Sequence, residues 1–221
     1  GLSKSFFGRI RKFSGKKYKI YKNHFSHLDK YFFFKTYLPT TIENEILFRL
    51  GQKPKFWETP NVPKIQANMK MRKWQIDEAD LYDQFSLIVS RMIPYNIPTV
   101  YLDGYNTLLD CIETVGWPKN PKYIFASNEF FSNEIFKAWS AQKVEHSTRL
   151  IIGQHGGHYG IGLWSWIEEH EISISDRYLS WGWSDPDQPK IRPVGQLKHK
   201  MPIGVNHIEQ TGLLLVTGTL P

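Results

Sequence analysis

The chain has 221 residues, 41% hydrophobic and 15% aromatic, which is enough for a sizeable core in one large or two small domains and excludes a disordered chain. No stretch approaches the roughly 18 uninterrupted apolar residues of a membrane span, and a single cysteine, Cys111, excludes an internal disulfide. Net charge is +7, but the first thirty residues hold nine Lys/Arg against one Asp, so the rest is nearly neutral.

The N-terminal segment, residues 1–38, is therefore basic and interleaved with aromatics, a pattern that reads first as a solvated face flanking a domain boundary and also suits peripheral contact with an anionic membrane. No RNP, zinc-finger or helix-turn-helix signature accompanies it, and nucleic acid is not an expected partner. The aromatic run at 31–34 has no clean period and reads as either a strand or a buried helix fragment. Thr40 with Glu43 has capping-box spacing; Ile42, Ile46, Leu47 and Leu50 share one helical face, and Gly51 fits the position past the end. Prolines 54, 60 and 63 make residues 53–65 an extended connector.

A second helix is predicted from near Asp77 to just before Pro94, with Leu81, Phe85, Ile88, Val89 and Met92 as a core stripe. The pattern then becomes regular: strand 99–102, helix 105–115, strand 122–126, helix 130–143, strand 149–153. Strands alternating with helices imply βαβ units and a parallel sheet with flanking helices, a Rossmann-like α/β domain over residues 39–205. Cys111 falls on the 105–115 helix, where packing explains it. Residues 175–183 alternate and bend at Trp181-Gly-Trp183, and a further strand near 191–195 adds another sheet edge.

Ligands of open α/β sheets bind outside the carboxyl ends of the strands. Asp103-Gly104, Ser127-Asn-Glu129 and Gln154-His-Gly-Gly157 are expected there, although Asp103, Ser127 and Asn128 also suit helix N-caps. The last group is the chemically richest. Its run continues as Gln154-His-Gly-Gly-His-Tyr-Gly160, and Glu168-Glu-His-Glu171 follows on the next predicted helix. Glu168 and Glu171 share a face there, with Glu169 pointing away.

Glycines after a strand offer backbone amides to an anion, but this loop matches neither Walker A nor the dinucleotide fingerprint. His155, His158 and His170 are metal-ligand types at poor metal spacing, so no metal is assigned. No Gly-x-Ser-x-Gly elbow is present. Acid/base chemistry beside an anion site remains: His155, His158 and Glu171 are the candidate catalytic residues, and Gln154, Gly156, Gly157, Tyr159, Asn128, Glu168 and His170 the candidate substrate contacts. No cofactor is expected.

The stretch Lys35-Thr-Tyr-Leu-Pro-Thr-Thr-Ile-Glu-Asn-Glu45, the Gln-His-Gly-Gly-x-Tyr-Gly motif, Glu169-His-Glu171 and Asp176-Arg-Tyr-Leu-Ser-Trp-Gly-Trp183 resemble transferases encoded in bacterial surface-carbohydrate loci, often beside enzymes making nine-carbon acidic sugars. More remotely, Gln154-His155-Gly156 with Val194-Gly195 resembles GT-B type glycosyltransferases and polyol-phosphate transferases. The resemblance implies two Rossmann-like domains with a nucleotide-sugar donor between them, a histidine that handles the activated donor, and a glycan or lipid-linked acceptor. This chain would be an excerpt holding most of the first domain, with residues 206–221 as a linker and the first strand of the second. A cytoplasmic enzyme of surface-polysaccharide or lipopolysaccharide assembly is the expectation; a non-catalytic sugar-nucleotide or glycan-binding module and a metal-dependent hydrolase are the alternatives.

Overall fold

A computed structural model describes residues 29–61, 63–77 and 83–198. The basic segment up to residue 28, Leu81 and the apolar stretch at 213–217 lie outside the described residues. The rest forms an α/β unit: a five-stranded sheet in which every neighbouring pair is parallel, with helices flanking it. Strands β1 (Tyr31–Phe34), β2 (Tyr123–Ala126), β3 (Arg149–Gly153), β4 (Arg177–Ser180) and β5 (Ile191–Pro193) lie side by side in chain order. Their order never reverses, so their carboxyl ends share one edge without a switch point among them.

The aromatic run is thus the edge strand β1, in register with β2 from Tyr31↔Tyr123 to Phe34↔Ala126. The sheet begins before residue 39, and β1 belongs to it rather than to a separate N-terminal segment. Strand alternation explains why four consecutive aromatics fit. Phe32 and Phe34 enter the core, while Tyr31 stacks on Tyr123 (5.7 Å) and Phe33 meets Phe125 edge-on (5.3 Å) on the opposite face.

The core lies on the Phe32 side. Helices α3 (Tyr105–Thr114) and α4 (Glu134–Glu145) supply Leu108, Ile112, Ile135, Phe136 and Trp139, which close over Phe32, Ile124, Leu150 and Ile152. Trp139 sits 4.5 Å from Phe32, and Trp117 donates its indole N–H to the Glu58 carbonyl (3.1 Å), tying the connector to the core. Cys111 packs, half-buried, against this cluster.

Three expectations require correction. Residues 99–102 are turns, not a strand: Tyr101 N bonds the Pro98 carbonyl and Gly104 N the Thr99 carbonyl, while Val100 packs against the core. Asp103 therefore does not follow a strand, and it forms a buried ion pair with Arg72, from the 3-10 turn Met69–Arg72. Helix α1 (Thr40–Arg49) starts after Pro39 with no side-chain cap; Glu43 accepts from Thr36 Oγ1 (2.6 Å) rather than closing a capping box. Of its predicted apolar face, Leu47 is buried, whereas Ile42 and Leu50 are exposed. Its C-terminus matches expectation, with Gly51 at φ +75° and paired bonds from Gly51 N to Phe48 O and from Gln52 N to Leu47 O.

The third correction concerns helix α2 (Gln84–Asn96). It runs through Pro94, and Asp83 caps it by accepting from Ser86 N (2.8 Å). Its stripe is not core: Phe85 is 76% exposed, and Ile88, Val89 and Met92 are exposed too. The inward face is the small one, Ser90 and Pro94. Arg72 Nη1 donates to the Pro94 and Ile97 carbonyls (3.0 Å each), so a charge at the helix C-terminus docks it instead of the apolar stripe. A pocket of about 190 Å³ beside this helix, with Trp74, Ile76, Ser90 and Tyr95 in its lining, contains no carboxylate or imidazole for proton transfer.

Candidate functional site at the carboxyl edge of the sheet

The loops leaving β1, β2, β3 and β4 converge on one edge. Ser127 is not a helix cap; its hydroxyl donates to the Thr36 carbonyl (2.8 Å), while Asn133 caps α4 by accepting from Phe136 N (3.0 Å). Asn128 Nδ2 donates to the Tyr37 hydroxyl (2.9 Å), and Lys35 pairs with the buried Glu129 at 3.2 Å. Lys35 and Tyr37 have φ of 46° and 63°, left-handed conformations that are uncommon for non-glycine residues.

The β3 loop is clamped by Gln154, which is 2% exposed. Its Nε2 donates to the Gly156 carbonyl (2.6 Å), and its Oε1 accepts from Trp181 N (2.8 Å) and Trp183 Nε1 (2.9 Å). Gly160 completes the clamp: at φ +75°, a Cβ there would lie 2.7 Å from the Trp183 indole. The histidine-glycine loop and the Trp-Gly-Trp bend are therefore one interlocked unit. Gln154 positions the loop through both ends of its amide.

His155 Nε2 lies 2.7 Å from the Tyr159 hydroxyl and 3.2 Å from Glu171 Oε1. With the proton on Nε2 that single N–H is shared between the two oxygens, which makes Nδ1 the nitrogen with a lone pair. Among the described residues nothing bonds Nδ1. Helix α5 (Trp166–Ile174) carries Glu171 to this place. Ser165 caps its start by accepting from Glu168 N (3.3 Å), and Lys190 Nζ donates to the carbonyls of Ile172, Ser173 and Ser175 at its end.

Glu168 and Glu171, on one face, both reach the loop: Glu168 Oε2 accepts from Gly160 N (2.6 Å), and Glu171 meets His155. Glu169 is exposed. Burial raises the Glu171 pKa, partly offset by the bond to His155. Burial, and then the nearby Glu171 charge, also raise the pKa of the Tyr159 and Tyr178 hydroxyls, which stay protonated at neutral pH. Glu171 Oε2 and Tyr178 Oη are buried without a hydrogen-bond partner among the described residues. A carboxylate with one free oxygen behind the imidazole can orient it and stabilise its protonated form.

The backbone N–H groups of Gly156 and Gly157 donate to no acceptor among the described residues. His158 is exposed, its ring 4.3 Å from that of Tyr159, and His170 is exposed on α5. Among the described residues no three His, Cys, Asp or Glu side chains converge to hold a metal ion. No helix among them is long and apolar enough to cross a membrane.

The family model for LIC12162 family transferases matches residues 3–221. The chain belongs to the LIC12162 transferase family. No curated protein and no solved structure matches it. For this LIC12162 family transferase the name supports an enzyme that transfers a group, and the edge just described is where its sheet gathers polar side chains.

Sequence reasoning passed over Tyr37, Trp183 as partner of Gln154, and Lys198. Tyr37 and Trp183 stand inside stretches singled out for the family resemblance, but nothing in their spacing announces a role. Lys198 follows β5 and comes back to the site: Leu197 packs where a Gly153 Cβ would sit (2.6 Å), and Lys198 Nζ lies 4.1 Å above the Tyr37 ring.

Proposed function

We propose that this transferase is of the GT-B glycosyltransferase type and moves a sugar from a nucleotide-activated donor, a CMP-linked acidic sugar, to a hydroxyl of a surface-glycan or lipid-linked acceptor. One observation carries the reading. His155 is held through Nε2 by Tyr159 and Glu171, and among the described residues nothing bonds its Nδ1 or the neighbouring Gly156 and Gly157 amides.

In the reaction, the acceptor hydroxyl gives its proton to His155 Nδ1 as its oxygen bonds the anomeric carbon. The bond from that carbon to the phosphate oxygen breaks, and its electron pair leaves with the nucleoside monophosphate. Glu171 stabilises the imidazolium, and the glycine amides bind the departing phosphate. The basic N-terminal segment keeps the enzyme by an anionic lipid-linked acceptor at the cytoplasmic face.

The test is a panel of nucleotide sugars with the full chain and a lipid-linked acceptor, read as free nucleotide and glycosylated product. Release of CMP with stoichiometric product supports the reading. Binding of donor with no turnover makes the chain a non-catalytic binding module, and turnover abolished by chelator and restored by zinc moves it to metal-dependent chemistry.

A further inference from the structure

Lys198, exposed at the end of the described chain, has no carboxylate partner among the described residues. The other lysine at this edge, Lys35, is neutralised by Glu129. Lys198 lies over the face of Tyr37 within cation–π range, which fixes the ammonium while leaving N–H directions open. Tyr37 in turn is anchored by Asn128 and meets His155 edge-on, with ring centroids 6.4 Å apart. The residues following β1, β2, β3 and β5 thus place along one rim a phenol, a side-chain amide, the His155 ring, and a cation and the Gly156 and Gly157 amides that are without hydrogen-bonded or ion-pair partners among the described residues.

We propose that Lys198, seated on Tyr37, forms with the Gly156 and Gly157 amides an oxyanion site beside His155 that takes the phosphoryl or carboxylate group of the donor. An ammonium is a compact strong donor, and two backbone amides add direction. The inference rests on the donor-site reading above and adds the residues that recognise the donor's charge. Lys198 is a binding residue here and takes no part in proton transfer.

Calorimetric titration of the full chain tests it, using CMP against cytidine and N-acetylneuraminic acid against its methyl ester. The charged member of at least one pair should bind and its neutral counterpart should not, with affinity falling as salt rises. Lys198→Gln should weaken that binding about tenfold and Lys198→Arg restore most of it, while Tyr37→Phe, which keeps the ring under the ammonium, should weaken it less. Thermal unfolding confirms that each variant is folded. Preference for CMP assigns the phosphoryl group, and preference for the acidic sugar the carboxylate. Unchanged affinity in folded Lys198→Gln, or equal binding of charged and neutral probes, overturns the proposal. Should Lys198-dependent binding occur with no transfer, the transferase reading of the site fails while the oxyanion site stands. Transfer unaffected by Lys198→Gln does the reverse.

Discussion

Gln154 and Trp183, 29 residues apart, are joined by a 2.9 Å hydrogen bond from the indole Nε1 to the side-chain oxygen, which also accepts from Trp181 N. Replacing Gln154 with Leu would strand both donors and free the Gly156 carbonyl. The expected loss is about 2–6 kcal/mol, since each of the two donors left unsatisfied costs about 1–3 kcal/mol. Chemical denaturation measures it. Gly160→Ala attacks the same clamp from the other side and should also destabilise, through its positive φ and the Trp183 contact.

His155→Ala should lower transferase turnover by about 10²–10⁴-fold, the usual contribution of a positioned acid/base group, with the unfolding transition kept. Tyr159→Phe retains the ring against His155 and removes one oxygen from Nε2, so a smaller loss is expected. Steady-state kinetics on the donor panel, alongside circular dichroism, checks both; full activity in His155→Ala removes the imidazole from the chemistry.

Glu171 makes stability depend on pH in a defined direction. Its folded pKa lies above the ordinary value of 4.5, so between that value and the raised one the folded chain holds more protons than the unfolded one. Stability contributed by the protonated group is full below pH 4.5 and declines as pH rises through the folded pKa. Glu171→Gln, neutral throughout, should lack this decline. Unfolding midpoints of the two proteins followed from pH 4 upward should therefore diverge, the wild type losing ground to the variant; parallel curves would contradict the burial account.

Two aromatic substitutions separate core from surface. Trp139→Ala, in a residue 1% exposed, should cost about 3–5 kcal/mol. Phe85→Ser, at a position 76% exposed, should change stability by no more than about 0.5 kcal/mol. Sequence patterning alone puts Phe85 in the core, so the measured contrast checks the placement of α2.

The alternation of strand and helix after residue 105, and the loop closing β3, were legible because period and glycine punctuation are local properties of the chain. Glu168 and Glu171 sharing a helical face was legible for the same reason. Residues 99–102 were not, because their β-type composition is overridden by turn hydrogen bonds and by the Arg72–Asp103 pair, whose partners are 31 residues apart. Helix α2 misled because an amphipathic stripe shows that one face is apolar and says nothing about which face docks; there the docking force is a buried guanidinium on terminal carbonyls.

The sequence by itself determined an α/β chain, the histidine-glycine loop and the candidate groups around it, since side-chain chemistry and short-range periodicity are carried in consecutive residues. Tertiary structure alone decided that β1 opens the sheet, that Gln154 locks onto the Trp-Gly-Trp bend, that Glu171 stands behind His155, and that Tyr37 and Lys198 join them. Each of these is a meeting of segments 16 or more residues apart in the chain, and only the pairing of parallel strands with their carboxyl ends on one edge sets which of them meet.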